Sequence, residues 1–275
     1  MELYKKTSYG ISKFITERYS TSFSLSTRLI DASIRDDIYA IYGLVRIADE
    51  VVDAYQGEDA AALLDRLEQD VYRAIERGYD TNPVIHAFSL TAHEYGIGED
   101  LIAPFFRSMA MDLEKVEYTQ ELYEAYIYGS AEVVGLMCLK VFCQGDERQY
   151  ESLLPGARAL GSAYQKVNFL RDIAADHDEL GRLYFPGVSF ESFDERQKKL
   201  IVDDIDREFT LAKSYVHALP ENSRHAVALS YLYYRELLEK IRRTPAQKLK
   251  EARIRVSNAR KLTLLASVTA RKRRL

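Results

Sequence analysis

The 275-residue chain has no tryptophan, two cysteines, five histidines and six prolines, and each shortage closes off a class of chemistry. Cys138 and Cys143 fit neither the C-x-x-C spacing of a redox pair nor a zinc pattern, so they read as buried, inert thiols. His86, His93, His177, His217 and His225 form no H-E-x-x-H or comparable cluster and read as surface or satisfied core residues. His177 directly follows Asp176 and so points about 100° away from it on a helix. No uninterrupted apolar run reaches the ~18 residues that span a bilayer. The start, Met1-Glu2-Leu3-Tyr4-Lys5-Lys6, lacks the apolar stretch of a signal peptide, which makes a cytoplasmic location the default expectation. The net charge of −4 argues against a general nucleic-acid binder.

Hydrophobic residues make up 47% and charged residues 29%, ordinary for a globular protein, and the length is enough to bury a sizeable core. Composition does not shift along the chain and no low-complexity linker occurs, so one all-α domain over 1–275 is expected. Helical periodicity predicts helices over 2–19, 33–55, 58–77, 82–95, 99–117, 119–142, 157–180, 194–218, 221–243 and 245–270. No alternating β-branched run argues for a strand. The hydroxyl-rich Tyr19-Ser20-Thr21-Ser22-Phe23-Ser24 reads as a turn. Pro155-Gly156 reads as the approach to the central helix, and Gly181-Arg182-Leu183-Tyr184-Phe185-Pro186-Gly187 as a loop at the mouth of a site. The segment 119–142 is apolar around much of its circumference, as a buried helix would be. Its Gly129, Ser130, Ala131 and Gly135 let another helix or a ligand come close.

Two polar stripes stand out on these helices. Gln165, Asn168, Asp172 and Asp176 fall within an arc of roughly 80°, while Val167, Leu170, Ile173 and Ala174 lie mostly elsewhere. Tyr42, Arg46, Asp49 and Asp53 fall within roughly 60° on another helix. Carboxylates one turn apart repel by a few tenths of a kcal/mol, so each D-x-x-x-D pair costs stability unless a cation lies between them. A single such pair is usually a solvated face, and Asp203, Asp204 and Asp206 are read as capping or solvating a helix start. Two copies in otherwise apolar helices, each beside an arginine (Arg46, Arg171) and amide or phenol partners, imply more. Facing each other across a cavity, they would offer carboxylates to magnesium, which keeps waters and phosphate oxygens in its shell, and forked guanidiniums to phosphate. The implied ligand is a diphosphate. Apolar walls with aromatic faces, drawn from 20 tyrosines and 11 phenylalanines, would shield a carbocation left behind by the departing group.

Four segments together, Tyr19-Ser20-Thr21-Ser22-Phe23, Asp49-Glu50-Val51-Val52-Asp53, Val133-Val134-Gly135-Leu136-Met137 and Asn168-Phe169-Leu170-Arg171-Asp172, resemble the squalene/phytoene synthase family. The resemblance covers nearly the whole chain, includes the spacing between the acidic motifs, and is greatest to the bacterial phytoene synthases of carotenoid biosynthesis. It implies an α-helical isoprenoid-synthase fold with a central cavity lined by helices. It also implies head-to-head (1′-1) condensation of two prenyl diphosphates through a cyclopropylcarbinyl diphosphate. By motif, Asp49, Asp53, Asp172 and Asp176 would hold magnesium, or manganese in its place, with Asn168 and Gln165 assisting at the second pair. Arg46, Arg171, Tyr42, Ser20 and Ser22 would contact diphosphate, and Arg182 in the mouth loop would close over the leaving group. Tyr128 would stand beside the reacting carbons as a proton relay or cation stabiliser. Where the family commonly reads Tyr-x-x-Ala-Gly, this chain has Tyr128-Gly129-Ser130-Ala131-Glu132, which sets Glu132 one turn from Tyr128 on the same face as a base or, the favoured reading, half of a structural pair.

The leading expectation is a magnesium-dependent synthase that joins two C20 geranylgeranyl diphosphates into phytoene and does not need NADPH. The same-class alternative joins two C15 farnesyl diphosphates into squalene, dehydrosqualene or hydroxysqualene; a reductive squalene synthase would need NADPH, and no G-x-G-x-x-G fingerprint occurs. A non-catalytic assembly or scaffold relative should have eroded its acidic pairs, and all four aspartates are present. A terpene cyclase accounts less well for two Arg-plus-D-x-x-x-D stripes. Arg260 and Lys261 are within reach of a diphosphate in some helical registers. The basic tail Arg271-Lys272-Arg273-Arg274-Leu275 reads as a solvated helix end, or as a weak peripheral contact with anionic membrane at ~1 kcal/mol per basic residue. Downstream carotenoid enzymes are the protein partners that the resemblance implies.

Overall fold

Capping and turn chemistry place the helices. Ser20 accepts the Phe23 N–H, Asn82 the Val84 N–H, Thr119 the Leu122 N–H and Asp194 the Gln197 N–H, each at 2.9–3.3 Å and each at a helix start. Pro83 occupies the first position after Asn82, where its missing N–H costs nothing. Gly78 and Gly96 end their helices in the left-handed conformation, at φ of 74° and 65°. The computed structural model describes residues 1–55, 57–113, 118–180 and 184–272, except for the side chains of 176–180, 271 and 272. Asp176, Arg182 and the basic tail therefore fall, as side chains, outside the described residues. Among those described, every regular element is helical.

In order these are α1 (Glu2–Tyr19), α2 (Thr21–Thr27), α3 (Arg35–Asp49), α4 (Ala60–Arg77), α5 (Pro83–Tyr95), α6 (Glu99–Met111), α7 (Gln120–Ile127), α8 (Val133–Cys143), α9 (Glu147–Leu180), α10 (Glu195–Ala218), α11 (Glu221–Arg243), α12 (Ala246–Leu249) and α13 (Asn258–Lys272). Two wide π turns are built in: Glu50–Ala54 continues α3, and Tyr128–Glu132 joins α7 to α8 in one rod. That rod is long and apolar enough to cross a membrane by length and composition, but 56% of its most apolar stretch is buried inside the fold. It is a core helix.

Four sequence expectations about helix starts and breaks change. The hydroxyl-rich segment after Tyr19 is helix α2, because Ser20 serves as its cap. The central helix α9 begins ten residues before Ala157, capped by Asp146, whose carboxylate accepts the Gln149 N–H at 3.0 Å; Pro155 lies inside it, in a turn with exposed Glu151 and Ser152. The helix expected over 245–270 is broken, because Arg253-Ile254-Arg255-Val256 alternates exposed charge with half-buried β-branched side chains and Ser257 then caps α13. Asp203, Asp204 and Asp206 lie within α10 and tie it to its neighbours: Asp204 takes Lys166 of α9 at 2.6 Å, and Asp206 takes Arg235 and Arg242 of α11.

α9 is the spine, packed against α8, the 128–132 turn, α10 and α11. One core cluster, with Ile38, Leu44, Phe88, Phe105, Met137 and Leu139, fills the space between α3, α5, α6 and α8; a second, with Val167, Leu170, Ile205, Phe209 and Leu238, joins α9 to α10 and α11. Buried Asp37 of α3 accepts from Tyr9 (3.2 Å), Thr91 (2.8 Å) and Tyr95 (3.2 Å), locking α1 and α5 onto α3. His86 is buried against the rings of Tyr4 and Tyr79, which also touch each other, but among the described residues its Nδ1 has no hydrogen-bond partner, contrary to a satisfied histidine. Both cysteines are free, and burial raises Cys138 to about 12 and Cys143 to about 11, so they are inert thiols at neutral pH.

Gly129 lets the rod approach α6: a Cβ there would lie 2.2 Å from the Pro104 carbonyl oxygen and 2.7 Å from Ser108 Cβ. Because backbone cannot yield as a side chain tip can, Gly129→Ala should lower the unfolding free energy by about 1–3 kcal/mol, and the thermal midpoint by several degrees. Thermal denaturation at fixed protein concentration checks this; an unchanged midpoint would mean that the helices slide apart at no cost.

Candidate active site

Small side chains on the rod and on α9 leave a cavity of about 720 Å³ between α2, α3, α8, α9, α10 and α11. Its walls follow helical spacing: Ala131, Val134, Gly135, Cys138 and Phe142 along one helix, and Leu153, Ala157, Leu160, Gln165, Asn168 and Arg171 along another. Running along α9, the lining changes from apolar at Leu153 to polar at Gln165 and charged at Arg171.

The polar middle is one hydrogen-bonded chain. Gln165 donates to Ser130 Oγ at 3.2 Å, Asn168 donates to Gln165 Oε1 at 3.3 Å, and the Tyr234 hydroxyl donates to Asn168 Oδ1 at 3.3 Å. Tyr164, one turn before Asn168 on the same stripe, stacks on Tyr234 with centroids 3.9 Å apart. Burial pushes the Tyr164 phenol far above its usual range, so it is a neutral group facing the cavity.

Charge collects at the mouth, mostly negative on the α3 side and mostly positive on the α9 side. On the α3 side, Arg46 reaches Asp49 at 3.5 Å, pairs with Glu50, and lies over the Tyr19 ring at 4.4 Å. Although 30% of the Asp49 side chain is exposed, its surroundings push its carboxyl up to about 7. Withdrawal from water is the main cause; Arg46 opposes it, and the nearby charges of Asp53, Asp112 and Glu50 add to it. Among the described residues no three such groups close around a single point, as they would for an all-protein metal cage. An oxygen-rich cluster of this kind fits a hard divalent ion that keeps water or phosphate in its shell.

On the α9 side, Asp172 is held between two forks: Arg171 at 2.5 and 3.0 Å, and Arg253, from the extended strap before α13, at 2.7 and 3.3 Å. Arg255 and Lys261 line the same rim. Burial lowers the Lys261 ammonium, and the neighbouring Arg171 and Arg255 lower it further, the mark of a crowd of cations.

Of the residues picked out by sequence, Ser20, Ser22, Tyr42, Gln165, Asn168 and Arg171 line the cavity. Arg46, Asp49, Asp53 and Asp172 border its mouth through Tyr19, Arg171 and Arg253. Tyr128 is not among the wall residues; its ring lies under Arg158, 5.2 Å from the guanidinium carbon. Glu132 pairs with that same Arg158 at 2.6 Å, a structural pair with an arginine. Arg260 turns outward to Glu236 at 2.8 Å, while Lys261 faces in. Sequence reasoning missed Tyr164, Tyr234, Arg253 and Arg255. Tyr164 was legible, since it continues the Asn168 stripe by one turn; the arginines were hidden by reading 245–270 as one helix.

The class defined by this architecture is an all-α protein whose helices enclose an apolar cavity with a charged mouth. A family model described as squalene/phytoene synthase matches residues 16–260, and the chain belongs to that family, whose members are prenyltransferase-type enzymes. It is 30% identical over 262 residues to a phytoene synthase of Arthrospira platensis, covering 86% of this chain and 84% of that one. It is 26% identical to a 15-cis-phytoene synthase of a Paracoccus species, covering 90% and 86%. The chain spans 57% of a chloroplastic phytoene synthase of Zea mays, at 30% identity over 82% of its own length. The same fold occurs in a dehydrosqualene synthase (TM-score 0.80, 22% identity, 98% of both chains) and in a squalene synthase from Alicyclobacillus acidocaldarius (TM-score 0.76, 22% identity, 91% and 97%).

The raised Asp49 has a measurable consequence. An unfolded aspartate titrates near 3.9, so between about pH 4 and 7 the folded chain binds more protons than the unfolded one, and stability falls as pH rises through that window. Asp49→Asn should raise the unfolding midpoint of the cation-free protein at pH 8 and flatten its slope between pH 4 and 7. Thermal scans across that range decide; a variant that keeps the wild-type profile would refute the assignment.

Proposed function

We propose that this chain joins two geranylgeranyl diphosphates head to head into phytoene, through a cyclopropylcarbinyl diphosphate, as a step in carotenoid synthesis. The observation that carries the reading is the arrangement of charge at the mouth: carboxylates crowd around Arg46 on the α3 side, and Arg171, Arg253, Arg255 and Lys261 gather about Asp172 on the α9 side. A magnesium-bound diphosphate is complementary to both. Asp49 and Asp53 on one helix, with Asp172 and Asn168 on the other, are the residues that would hold the ion. When bound, magnesium supplies positive charge to the departing diphosphate.

This chain's own residues do the rest. Arg171, Arg253, Arg255 and Lys261 stabilise charge as it builds on the leaving group, with Arg171 and Arg253 exchanging Asp172 for phosphate oxygens. The Ser130–Gln165–Asn168–Tyr234 chain fixes the boundary between charged mouth and apolar chamber. Tyr164, Tyr234 and Phe23 turn aromatic surface toward a cation that the apolar walls keep from water.

Chain length supports the C20 substrate. From Leu153 to Gln165 the wall rises about 18 Å at 1.5 Å per residue. An extended C20 prenyl chain spans about 18 Å and a C15 chain about 13 Å, at ~1.2 Å per main-chain bond. The names of the similar phytoene synthases from Arthrospira platensis and Paracoccus point the same way.

Purified protein incubated with magnesium and either diphosphate, without NADPH, should yield a C40 hydrocarbon from the C20 substrate on chromatography of the extract. A C30 product from the C15 substrate alone would move the chain to the squalene branch, and no product from either would defeat the reading. Asp49→Asn and Asp172→Asn should each lose at least about a hundred-fold in turnover with helicity intact, the scale of one lost electrostatic contact in a transition state. Glu132→Gln should leave turnover within about two-fold, because Glu132 is engaged with Arg158.

A further inference from the structure

The end of the cavity away from the charged mouth is built from three chain segments that meet there. Ile30 comes from the connection after α2, Phe142 from the last turn of α8, and Leu219 from the junction of α10 and α11; all three line the cavity. The backbone carbonyl of each is held by a side chain. Arg35 donates to Ile30 O through Nε (3.1 Å) and Nη2 (2.6 Å), Asn222 Nδ2 donates to Phe142 O at 2.9 Å, and Arg224 Nε donates to Leu219 O at 2.8 Å. Asn222 also accepts the Asp31 N–H at 2.8 Å through its own carbonyl, so it ties the first segment to the second. Phe142 is the largest of the three side chains and is 8% exposed. Just beyond it Gln144 and Gly145, at φ of 50° and 86°, turn the chain out to the surface. Phe142 is thus a cavity-lining side chain in the last turn before the chain leaves this end of the cavity.

We infer that Phe142 is the end stop that sets the length of prenyl chain this cavity accepts, and that Asn222 is the positioning residue that keeps the stop rigid. The inference rests on the prenyl diphosphate reading above, and it deepens that reading by naming what limits the substrate. A floor held at three carbonyls cannot withdraw to admit another isoprene unit, so discrimination against longer chains is steric. Discrimination against shorter chains comes from the apolar surface they leave uncovered. Enlarging the side chain at 142 should shift preference toward C15, shrinking it should admit C25, and releasing the Phe142 carbonyl should blur the limit without shifting its centre.

The test uses the full chain with magnesium and the unreactive thiolodiphosphate analogues of the C15, C20 and C25 alcohols, with affinities read by titration calorimetry. In Phe142→Ala the C25-to-C20 affinity ratio should rise about ten-fold, and in Phe142→Trp the C20-to-C15 ratio should fall about ten-fold, the lower range for a misfit in an apolar pocket. In Asn222→Ala the step between C20 and C25 should shrink toward equality. Unfolding midpoints establish which variants are folded, and the Trp and Asn222 variants carry the test if the Ala variant is not. Ratios within about two-fold of wild type in the folded variants would overturn the inference. Turnover of C20 diphosphate to a C40 product is scored separately. Product with unmoved ratios sinks the end stop alone, whereas shifted ratios without product sink the condensation alone.

Discussion

Like charges packed at close quarters around the cavity mouth are the constraint on which the rest of this structure depends. Asp49 carries Asp53, Asp112 and Glu50 in its field, and Lys261 carries Arg171 and Arg255. Neither group is arranged for stability. A carboxyl pushed up to about 7 and an ammonium pushed down record free energy that folding has to supply from elsewhere. The supply is the pair of apolar clusters that grip α3 and α9 along their hidden faces, so that the charged faces have no freedom to turn away from each other. Functional sites are commonly strained in this sense, with the surrounding core keeping the arrangement in place.

The arginines show how the strain is held in check. Arg46 leans back on its own helix to Asp49 and Glu50, and Asp172 is shared by Arg171 and Arg253. These side chains are 18–48% exposed, so water reaches each pair and weakens it. Weakness suits the position: a guanidinium that exchanges one carboxylate for a phosphate oxygen trades one charge-assisted bond for another of similar strength. Lys166, which reaches Asp204 and Glu208 of α10 from α9, is a different device. There the ammonium itself is buried, 11% exposed, and its two bonds fix the spine against α10.

Much of this was legible in the sequence because helices make spacing into geometry. The neighbouring Gln165 and Asn168 on α9, Arg46 beside Asp49 on α3 and the apolar 119–142 rod all follow from 3.6 residues per turn. What did not follow has physical causes. Both π turns, at 50–54 and 128–132, break the constant advance of about 100° per residue, so the register of Asp53 against Asp49 and of Glu132 against Tyr128 could not be read from a regular wheel. Asp146 was a better signal for the start of α9 than Pro155, since a proline in an exposed turn loses only a bond that water replaces. The partnership of Tyr234 with Asn168 spans 66 residues of chain, and no local period encodes it. The alternating 253–256 strap did carry a local signal, a period of two inside an apparently helical stretch, and its misreading hid the two arginines.

The two ends of the cavity are held by opposite means, and the difference has a consequence for what each end can do. At the floor, Arg35 and Arg224 each reach back five residues to the carbonyl just ahead of their own helix, the same local hook used twice, and Asn222 closes the gap between them. These bonds go to backbone, so loosening the floor means moving whole segments. At the mouth the bonds run between side chains, and exchanging them requires only rotamer changes. An amphiphile that enters tail first meets a fixed apolar length and an adaptable charged rim. On the proposed reading, a prenyl chain of the wrong length would bring its diphosphate out of register with the groups at the rim. Selectivity for length would then become selectivity for reaction, because only a substrate that fills the chamber would bring its leaving group to the cations that stabilise its departure.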